Sequence, residues 1–255
     1  MARYIEQFHN LKIFRKNDIV ALLENENAAK ELLRRYKQKG LILKVRRDLY
    51  VVADLATKAS IASRYEIGSQ INSSSYLSHH AALEYHGLGH QLFYEIQVSS
   101  KERFSNFEFN GIRYIYSESK FDDGVITPNT DTFIRVTDLE RTIIDCINQM
   151  DRSGGLEEML ECFALITYVN ENKLFEYLGQ YNKQVLYQKS GFILSYFQNE
   201  MKISDSFINF CKSKTGKSTS YLTDDHQSVK YYNEWKLYAP ANILSFLEQG
   251  GNINV

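Results

Sequence analysis

Residues 14–52 constrain the fold more than any other stretch of this 255-residue chain. Two amphipathic helical patterns come first, and two short β-rich runs, residues 41–45 and 49–52, follow them. Asn25 or Asn27 is suited to cap the second helix, because a short amide oxygen can accept hydrogen bonds from its first free N–H groups. Helix, helix and β-hairpin is the order of elements in a winged helix-turn-helix, so this stretch predicts that fold.

The second predicted helix, at about residues 28–39, has two chemically different faces. Its apolar face, which can pack on the first helix, is formed by Ala29, Leu32, Leu33 and Tyr36. The opposite face carries one amide and three cations, which are Asn27, Lys30, Arg34 and Lys37. Side chains of these types bind base edges and phosphates in a major groove, so we predict that these four residues bind DNA.

The predicted hairpin carries positive charge near its turn. Lys44, Arg46 and Arg47 lie there, and we predict that they contact phosphates or a minor groove. Two other interpretations stay open. A basic helix face is often only a solvated surface, and some winged helices bind a partner protein instead of DNA, because fold does not determine function.

Charge is distributed unevenly along the chain. Residues 1–52 hold twelve Lys and Arg against six Asp and Glu, a net charge of +6. The whole chain has a net charge of -1, so the remainder, with 18 basic and 25 acidic side chains, has a net charge of -7. A basic head on an acidic body predicts a polyanionic partner for the head alone.

The composition favours a folded protein of a reducing compartment. A hydrophobic content of 44% with 24% charged residues is ordinary for a globular domain. No signal peptide and no apolar run long enough for a membrane span is recognisable. The three cysteines are far apart and odd in number, which is typical of free buried thiols. We therefore expect a cytoplasmic protein.

The fold class predicted for the whole chain is α+β. We place the winged helix-turn-helix at residues 1–54 and a larger mixed α/β body at residues 55–255. Within the body, strand and helix patterns alternate over residues 55–150, and residues 151–255 are mostly helical.

Several finer expectations complete this outline. Residues 3–11 and the segment after Pro240 have helical spacing, and residues 56–71 are typical of a helical connector. Thr137 and Glu140 form the sequence pattern of a capping box at the start of a helix.

Four histidines crowd residues 79–90: His79, His80, His86 and His90. They suggest a zinc site, but two glycines interrupt the helix and no Cys or carboxylate stands at a familiar ligand spacing. Structural or capping roles are more common for such histidines, so we predict no bound metal. A metal-dependent enzyme built on this cluster is the weakest of three functional interpretations.

Two further motifs imitate catalytic or cofactor sites. The run SKTGKSTS at residues 213–220 resembles the end of a phosphate-binding loop, but Cys211 stands where that motif needs a glycine. Glu140, Arg141 and Asp145 resemble an acid/base set, although a helix cap and an i,i+4 ion pair explain them more simply. We therefore predict that the chain is not an enzyme and binds no cofactor.

Three sequence boxes stand in order between residues 14 and 146. They are KGLILKVRRDLYVV at the end of the head, YLSHHAALEYHGL at residues 76–88 and VTDLERTIIDC at residues 136–146. Together they resemble the AbiE-type antitoxin family, bacterial regulators of phage-defence toxin–antitoxin operons. Two positions depart from the family pattern: Asp48 stands where a glycine is common, and Arg15 where a Ser or Thr cap is common.

The resemblance implies a transcriptional autorepressor that binds double-stranded DNA at inverted repeats in its own promoter. Inverted repeats suggest two copies of the chain on DNA. The resemblance also implies a type IV antitoxin whose body counters a nucleotidyltransferase toxin encoded beside it, with or without direct contact. The alternative is a protein-interaction module whose winged helix contacts a partner protein rather than DNA.

Overall fold

The structure is a computed structural model that describes residues 11–130 and 133–241 together with Ile243 and Ser245. Within these residues it is a mixture of helices and strands, in agreement with the predicted α+β class. None of the helices in these ranges has the length and apolar character needed to cross a membrane. The helices predicted at residues 3–11 and after Pro240 fall almost wholly outside the described residues.

The chain divides into two compact units, each assembled from three separate segments. The first unit comprises Met1–Leu77, Tyr94–Ser119 and Thr127–Arg135. The second unit comprises Ser78–Phe93, Lys120–Ile126 and Val136–Val255. The boundary predicted at residue 54 stays a prediction.

Residues 13–52 of the first unit, which we call the head segment, form two helices and a three-stranded sheet. In chain order the elements are β1 (Ile13–Arg15), α1 (Lys16–Leu23), α2 (Glu26–Gln38), β2 (Ile42–Arg46) and β3 (Leu49–Val52). The strand order is β1-β3-β2, and both pairings are antiparallel. The sequence predicted the two helices and the hairpin but not β1, which is three residues long and is defined by its pairing with a distant strand.

The helices of the head segment begin at well-defined caps and enclose a small core. Asn25 Oδ1 accepts a hydrogen bond from the N–H of Ala28 at 2.9 Å, so Asn25 is the cap of α2. At the start of α1 the carboxylate of Asp18 accepts from the N–H of Arg15 at 2.6 Å, and Arg15 itself makes no side-chain cap hydrogen bond. The buried core consists of Phe14, Ile19, Ala29, Leu32, Leu33, Tyr36, Ile42 and Val52.

The rest of the first unit is a second sheet with one short helix. Its elements are α3 (Arg64–Ser69), β4 (Tyr76–Leu77), β5 (Glu95–Ser100), β6 (Phe107–Phe109) and β7 (Ile112–Glu118). These strands have the order β6-β7-β5-β4, in which only β5 and β7 are parallel.

The connector predicted as a helix over residues 56–71 is helical only in α3. Ser63 and Glu66 form the capping box that starts it, because the Ser63 hydroxyl accepts from the Glu66 N–H and the Glu66 carboxylate accepts from the Ser63 N–H. Because the helix begins at this cap, the residues before it form turns and bends despite their helical spacing in the sequence. Within α3, Gly68 allows close packing, since a Cβ there would meet the Ile96 and Leu77 side chains at 3.0 Å.

The second unit is mainly helical. Its helices are α4 (His79–Tyr85), α5 (Leu139–Asn148), α6 (Gly155–Ala164), α7 (Glu171–Tyr181), α8 (Gln184–Ser195) and α9 (Asp205–Ser213). Its strands are β8 (Val125–Ile126), β9 (Val136–Thr137), β10 (Ser220–Tyr221), β11 (Val229–Tyr232) and β12 (Leu237–Pro240). Strands β8 and β9 pair antiparallel, and the last three strands form a sheet in the order β10-β12-β11.

The cap predicted for α5 is wrong by one residue. Asp138, not Thr137, is the cap, and its Oδ1 accepts from the Arg141 N–H at 2.9 Å. Glu140 does not return to the start of its own helix, because its carboxylate accepts from the N–H of Asn170 at 2.8 Å. Thr and Asp are both preferred at the N-cap of a helix, so the sequence alone does not distinguish Thr137 from Asp138.

Candidate nucleic-acid interface

Helix α2 presents the four predicted DNA-binding residues on its exposed side. Leu32, Leu33 and Tyr36 are buried in the core of the head segment. The residues predicted to bind DNA are all exposed, and they are Asn27, Lys30, Arg34 and Lys37. The amphipathic pattern therefore places these side chains where a ligand can reach them.

Two of these cations already have acidic partners on the same helix. Lys30 Nζ lies 3.0 Å from Glu26 Oε1. Arg34 donates two hydrogen bonds to the Glu31 carboxylate, at 2.8 and 2.6 Å, and a third to Gln38 Oε1 at 3.1 Å. Exposed pairs of this kind are weak and screened by salt, so a phosphate can compete for them.

Glu26 connects the two helices of the head segment. Its carboxylate accepts from Lys16 Nζ of α1 at 2.8 Å. Hydrogen bonds from Lys16 and Lys30 lower the pKa of Glu26 to about 2, so it is ionised at any physiological pH. Lys37 carries no ion pair among the described residues, and it is the most available cation of the predicted face.

The turn of the hairpin consists of Arg47 and Asp48. Asp48 has a φ of 58°, a left-handed conformation that Gly adopts without strain and Asp tolerates better than most residues. The backbone at Asp48 therefore has a conformation in which a glycine would be unstrained. The Arg47 side chain is 94% exposed, with its Nε 3.6 Å from Asp48 Oδ2. Lys44 is exposed as well, just before an irregularity in the β2–β3 pairing.

Arg46 differs from its neighbours because its side chain packs within the first unit. Its guanidinium carbon lies 5.0 Å from the ring centroid of Phe107 and 5.5 Å from that of Phe104. Burial, together with the nearby charge of Arg15, lowers the pKa of Arg46. This contact is not predictable from local sequence, because Phe104 and Phe107 lie far along the chain from Arg46. The contact that we predicted between Arg46 and DNA stays a prediction.

Gln38 is a polar residue on the same face that the sequence reasoning missed. It lies four residues after Arg34 and accepts a hydrogen bond from it. An amide at this position has the donor and acceptor that adenine edges require, as does the amide of Asn27, which we predict to bind DNA. The position of Gln38 four residues after Arg34 places it on the same face of the helix, and this spacing could have identified it from the sequence.

The VTDLERT box forms a buried polar network in the second unit rather than an open site. Arg141 Nε donates to Asp145 Oδ1 at 2.7 Å, and both side chains are 2% exposed. The Tyr181 hydroxyl donates to the same oxygen at 2.6 Å. Arg141 also lies 3.6 Å from the centroid of the Phe121 ring. The i,i+4 pair predicted from the sequence is thus present and buried.

The four crowded histidines have separate roles. His79 hydrogen bonds to the Ser78 hydroxyl at 2.9 Å and to Gln149 at 3.1 Å. His86 Nε2 donates to the carbonyl oxygen of Thr137 at 2.7 Å. These two histidines join α4 to other parts of the second unit, as structural histidines do, whereas His80 and His90 approach Glu158.

No family model matches the chain, and no curated protein matches it. In fold, the chain is similar to the RV2827C protein of Mycobacterium tuberculosis. The crystal structure of that protein superposes with a TM-score of 0.69 over 98% of this chain and 94% of the other, at 12% sequence identity. At this identity the similarity concerns the fold alone.

Proposed function

We propose that this chain is a DNA-binding transcriptional autorepressor and an antitoxin of the AbiE type. The head segment acts as a winged helix-turn-helix, with α2 as the recognition helix and the β2–β3 hairpin as the wing. Its partner is double-stranded DNA with inverted repeats in its own promoter.

One observation carries the DNA-binding part of this proposal. Helix α2 buries Leu32, Leu33 and Tyr36 and exposes an amide and cations, and the hairpin that follows it exposes Arg47 at its tip. Major-groove recognition by a helix with phosphate contacts from an adjacent hairpin needs this combination. The pairing of β1 with β3 supports the assignment, because it holds the hairpin against the start of α1.

Binding of the purified chain to the DNA upstream of its own gene tests this part. We expect Arg34→Ala to reduce discrimination between operator and random DNA by about 1–3 kcal/mol. Arg47→Ala should weaken binding to both DNAs and lower the slope of log K against log salt by about 1. Lys217→Ala, an equal change of charge at an exposed residue of the second unit, is the matched control. Wild-type affinity and slope in both head variants would refute the assignment.

The antitoxin part rests on the resemblance of the YLSHHAALEYHGL and VTDLERTIIDC boxes. It is tested by expressing a nucleotidyltransferase encoded next to this gene, with and without the chain, and following growth. We expect growth to be restored by the wild type and also by the Arg34→Ala/Arg47→Ala variant, because toxin opposition belongs to the body. Continued growth arrest with the wild type would remove the antitoxin role and leave DNA binding untouched.

The second candidate function is a protein-interaction module whose head segment contacts a partner protein rather than DNA. One exposed residue favours it. Leu22 on α1 is 42% exposed, whereas Ile19 is buried in the core and Val20 and Leu23 pack against it. A head that binds a protein through this leucine would leave upstream DNA unshifted in the same binding experiment.

A further inference from the structure

Side chains from three parts of the second unit converge on one buried point. His80 lies on α4, His90 in the loop after it, and Glu158 and Cys162 lie one turn apart on α6. His80 Nε2 donates to Glu158 Oε1 at 2.9 Å, and the Cys162 thiol lies 3.3 Å from the same oxygen. One ligand atom each from His80, Glu158 and Cys162 lies within 4.8 Å of the others.

His90 lies on the accessible side of this cluster. Its Nδ1 is 3.6 Å from Glu158 Oε2, and its side chain is 42% exposed. A small rotation of a partly exposed imidazole is inexpensive, so His90 can supply a fourth ligand.

Two atoms of the cluster have bonding capacity that their neighbours do not use. Among the described residues, His80 Nδ1 and Glu158 Oε2 are buried without a hydrogen-bond partner. The two side chains are 1% and 2% exposed, and buried polar atoms are nearly always paired. An ordinary ion pair explains only Oε1, which also accepts from the N–H groups of His90 and Gln91.

A cation at this point engages Glu158 Oε2 and sets the tautomer of His80. When His80 Nε2 gives its lone pair to a metal, the imidazole keeps its proton on Nδ1. Nδ1 then faces Glu84 Oε1, which is 3.7 Å away. A carboxylate that accepts from the second nitrogen of a ligating histidine is the common support of metal sites. Glu158 offers its carboxylate to the cation, and the Cys162 thiol releases its proton to the solvent to become a thiolate ligand.

We infer that His80, His90, Glu158 and Cys162 form a zinc site in the second unit. Imidazole, thiolate and carboxylate are the ligands of tetrahedral Zn²⁺, whereas Mg²⁺ and Ca²⁺ take oxygen ligands. Four protein ligands make the site structural rather than catalytic. These four ligands are not recognisable as a group in the sequence, because Glu158 is 78 positions from His80.

Metal analysis of the purified full-length chain tests the site. After exposure to Zn²⁺ and removal of the excess, we expect one zinc per chain in the wild type and in Cys211→Ser. Cys211 is the matched control, because it is a buried cysteine of the same unit outside the cluster. Cys162→Ser should lose the metal. His90→Ala, a change at a partly exposed residue, should weaken zinc binding at least about tenfold in competition with a chelator.

Cobalt substitution gives a second, spectroscopic readout. A thiolate bound to Co²⁺ produces a charge-transfer band in the near ultraviolet, which we expect in the wild type and Cys211→Ser but not in Cys162→Ser. Absence of stoichiometric zinc and of the cobalt band in the wild type overturns the inference. Zinc binding that is unchanged in both Cys162→Ser and His90→Ala overturns it as well, because the metal would then lie elsewhere.

Discussion

Arg46 and Arg47 are adjacent in the sequence, yet their side chains have different surroundings. Arg47 is almost fully exposed at the hairpin turn. Arg46 lies over the rings of Phe104 and Phe107 and is partly buried. Position in a hairpin therefore does not by itself tell whether an arginine serves a ligand or the fold.

We predict that Arg46→Ala lowers the free energy of unfolding by about 0.5–2 kcal/mol, because it removes a guanidinium from two aromatic faces. Arg47→Ala should change that free energy by no more than about 0.5 kcal/mol, as usual for exposed residues. Urea denaturation of the two variants measures both. Equal stability of the two variants would show that the aromatic contact contributes nothing measurable.

His79 combines an unusual backbone conformation with a buried side chain. Its φ is 52°, which few residues other than Gly adopt, and its ring is buried between Ser78 and Gln149. Burial lowers the pKa of His79 from 6.5 to about 4. In the unfolded chain the same imidazole binds a proton near pH 6.5.

Stability should therefore fall as the pH is lowered from about 6.5 to about 4, because in this window the unfolded chain holds a proton on His79 that the folded chain does not. The loss attributable to His79 is on the order of 3 kcal/mol and is absent above this window. Urea denaturation at pH 7 and pH 5 should show about 2 kcal/mol of this loss, because pH 5 lies within the window.

His79→Asn is the informative variant, because Asn tolerates positive φ and does not titrate. It should flatten the pH dependence, while His226→Asn, at an exposed histidine, should keep it. An unchanged slope in His79→Asn would assign the dependence to other groups.

At the scale of single elements, α5 is organised by a buried ion pair. Arg141 and Asp145 are both 2% exposed, and the Tyr181 hydroxyl also donates a hydrogen bond to Asp145. Removing one member of a buried pair leaves an uncompensated charge, whereas removing both leaves none.

Arg141→Met should therefore lower the free energy of unfolding by about 3–5 kcal/mol, and Arg141→Met/Asp145→Leu should lower it by less than the single change. A double-mutant cycle with Asp145→Leu as the second single variant, followed by denaturation, gives the coupling directly. Strictly additive losses would contradict the coupling.

How far the sequence predicts an element depends on where its determinants lie. The two helices of the head segment and the cap at Asn25 are predictable, because the spacing of apolar residues and the capping residue both lie within or next to the helix. Strand β1 and the partners of Arg46 are not, since both depend on residues far along the chain. The predicted cap of α5 lies one position before the true cap, Asp138. The approach of Glu158 and Cys162 to His80 is not predictable either, because it depends on how α6 packs near α4.

At the scale of the whole molecule, charge is distributed unevenly along the sequence. Residues 1–52 carry a net charge of +6 and the remainder -7, so a polyanion is attracted to one end of the sequence and repelled by the other. A single head covers only one half-site of an inverted repeat.

We predict that two chains bind one operator duplex, with half-sites spaced by about one helical turn, roughly 34–36 Å, or a multiple of it. Light scattering of the complex gives the number of chains per duplex. A duplex with one half-site is the control and should bind a single chain more weakly. One chain on the full operator would contradict the two-copy arrangement.

The interleaving of the two units has a consequence during synthesis. The head segment is complete at Val52, but the first unit continues to Arg135, and the intervening residues take on the order of 4–17 s to translate at about 5–20 residues per second. Phe104 and Phe107 are 52 and 55 residues beyond Val52, so for most of this interval Arg46 has no aromatic ring to stack on. A nascent chain that stalls before residue 104 carries a finished hairpin sequence whose arginine still lacks its stacking partners, so such fragments should be favoured substrates for chaperones and proteases.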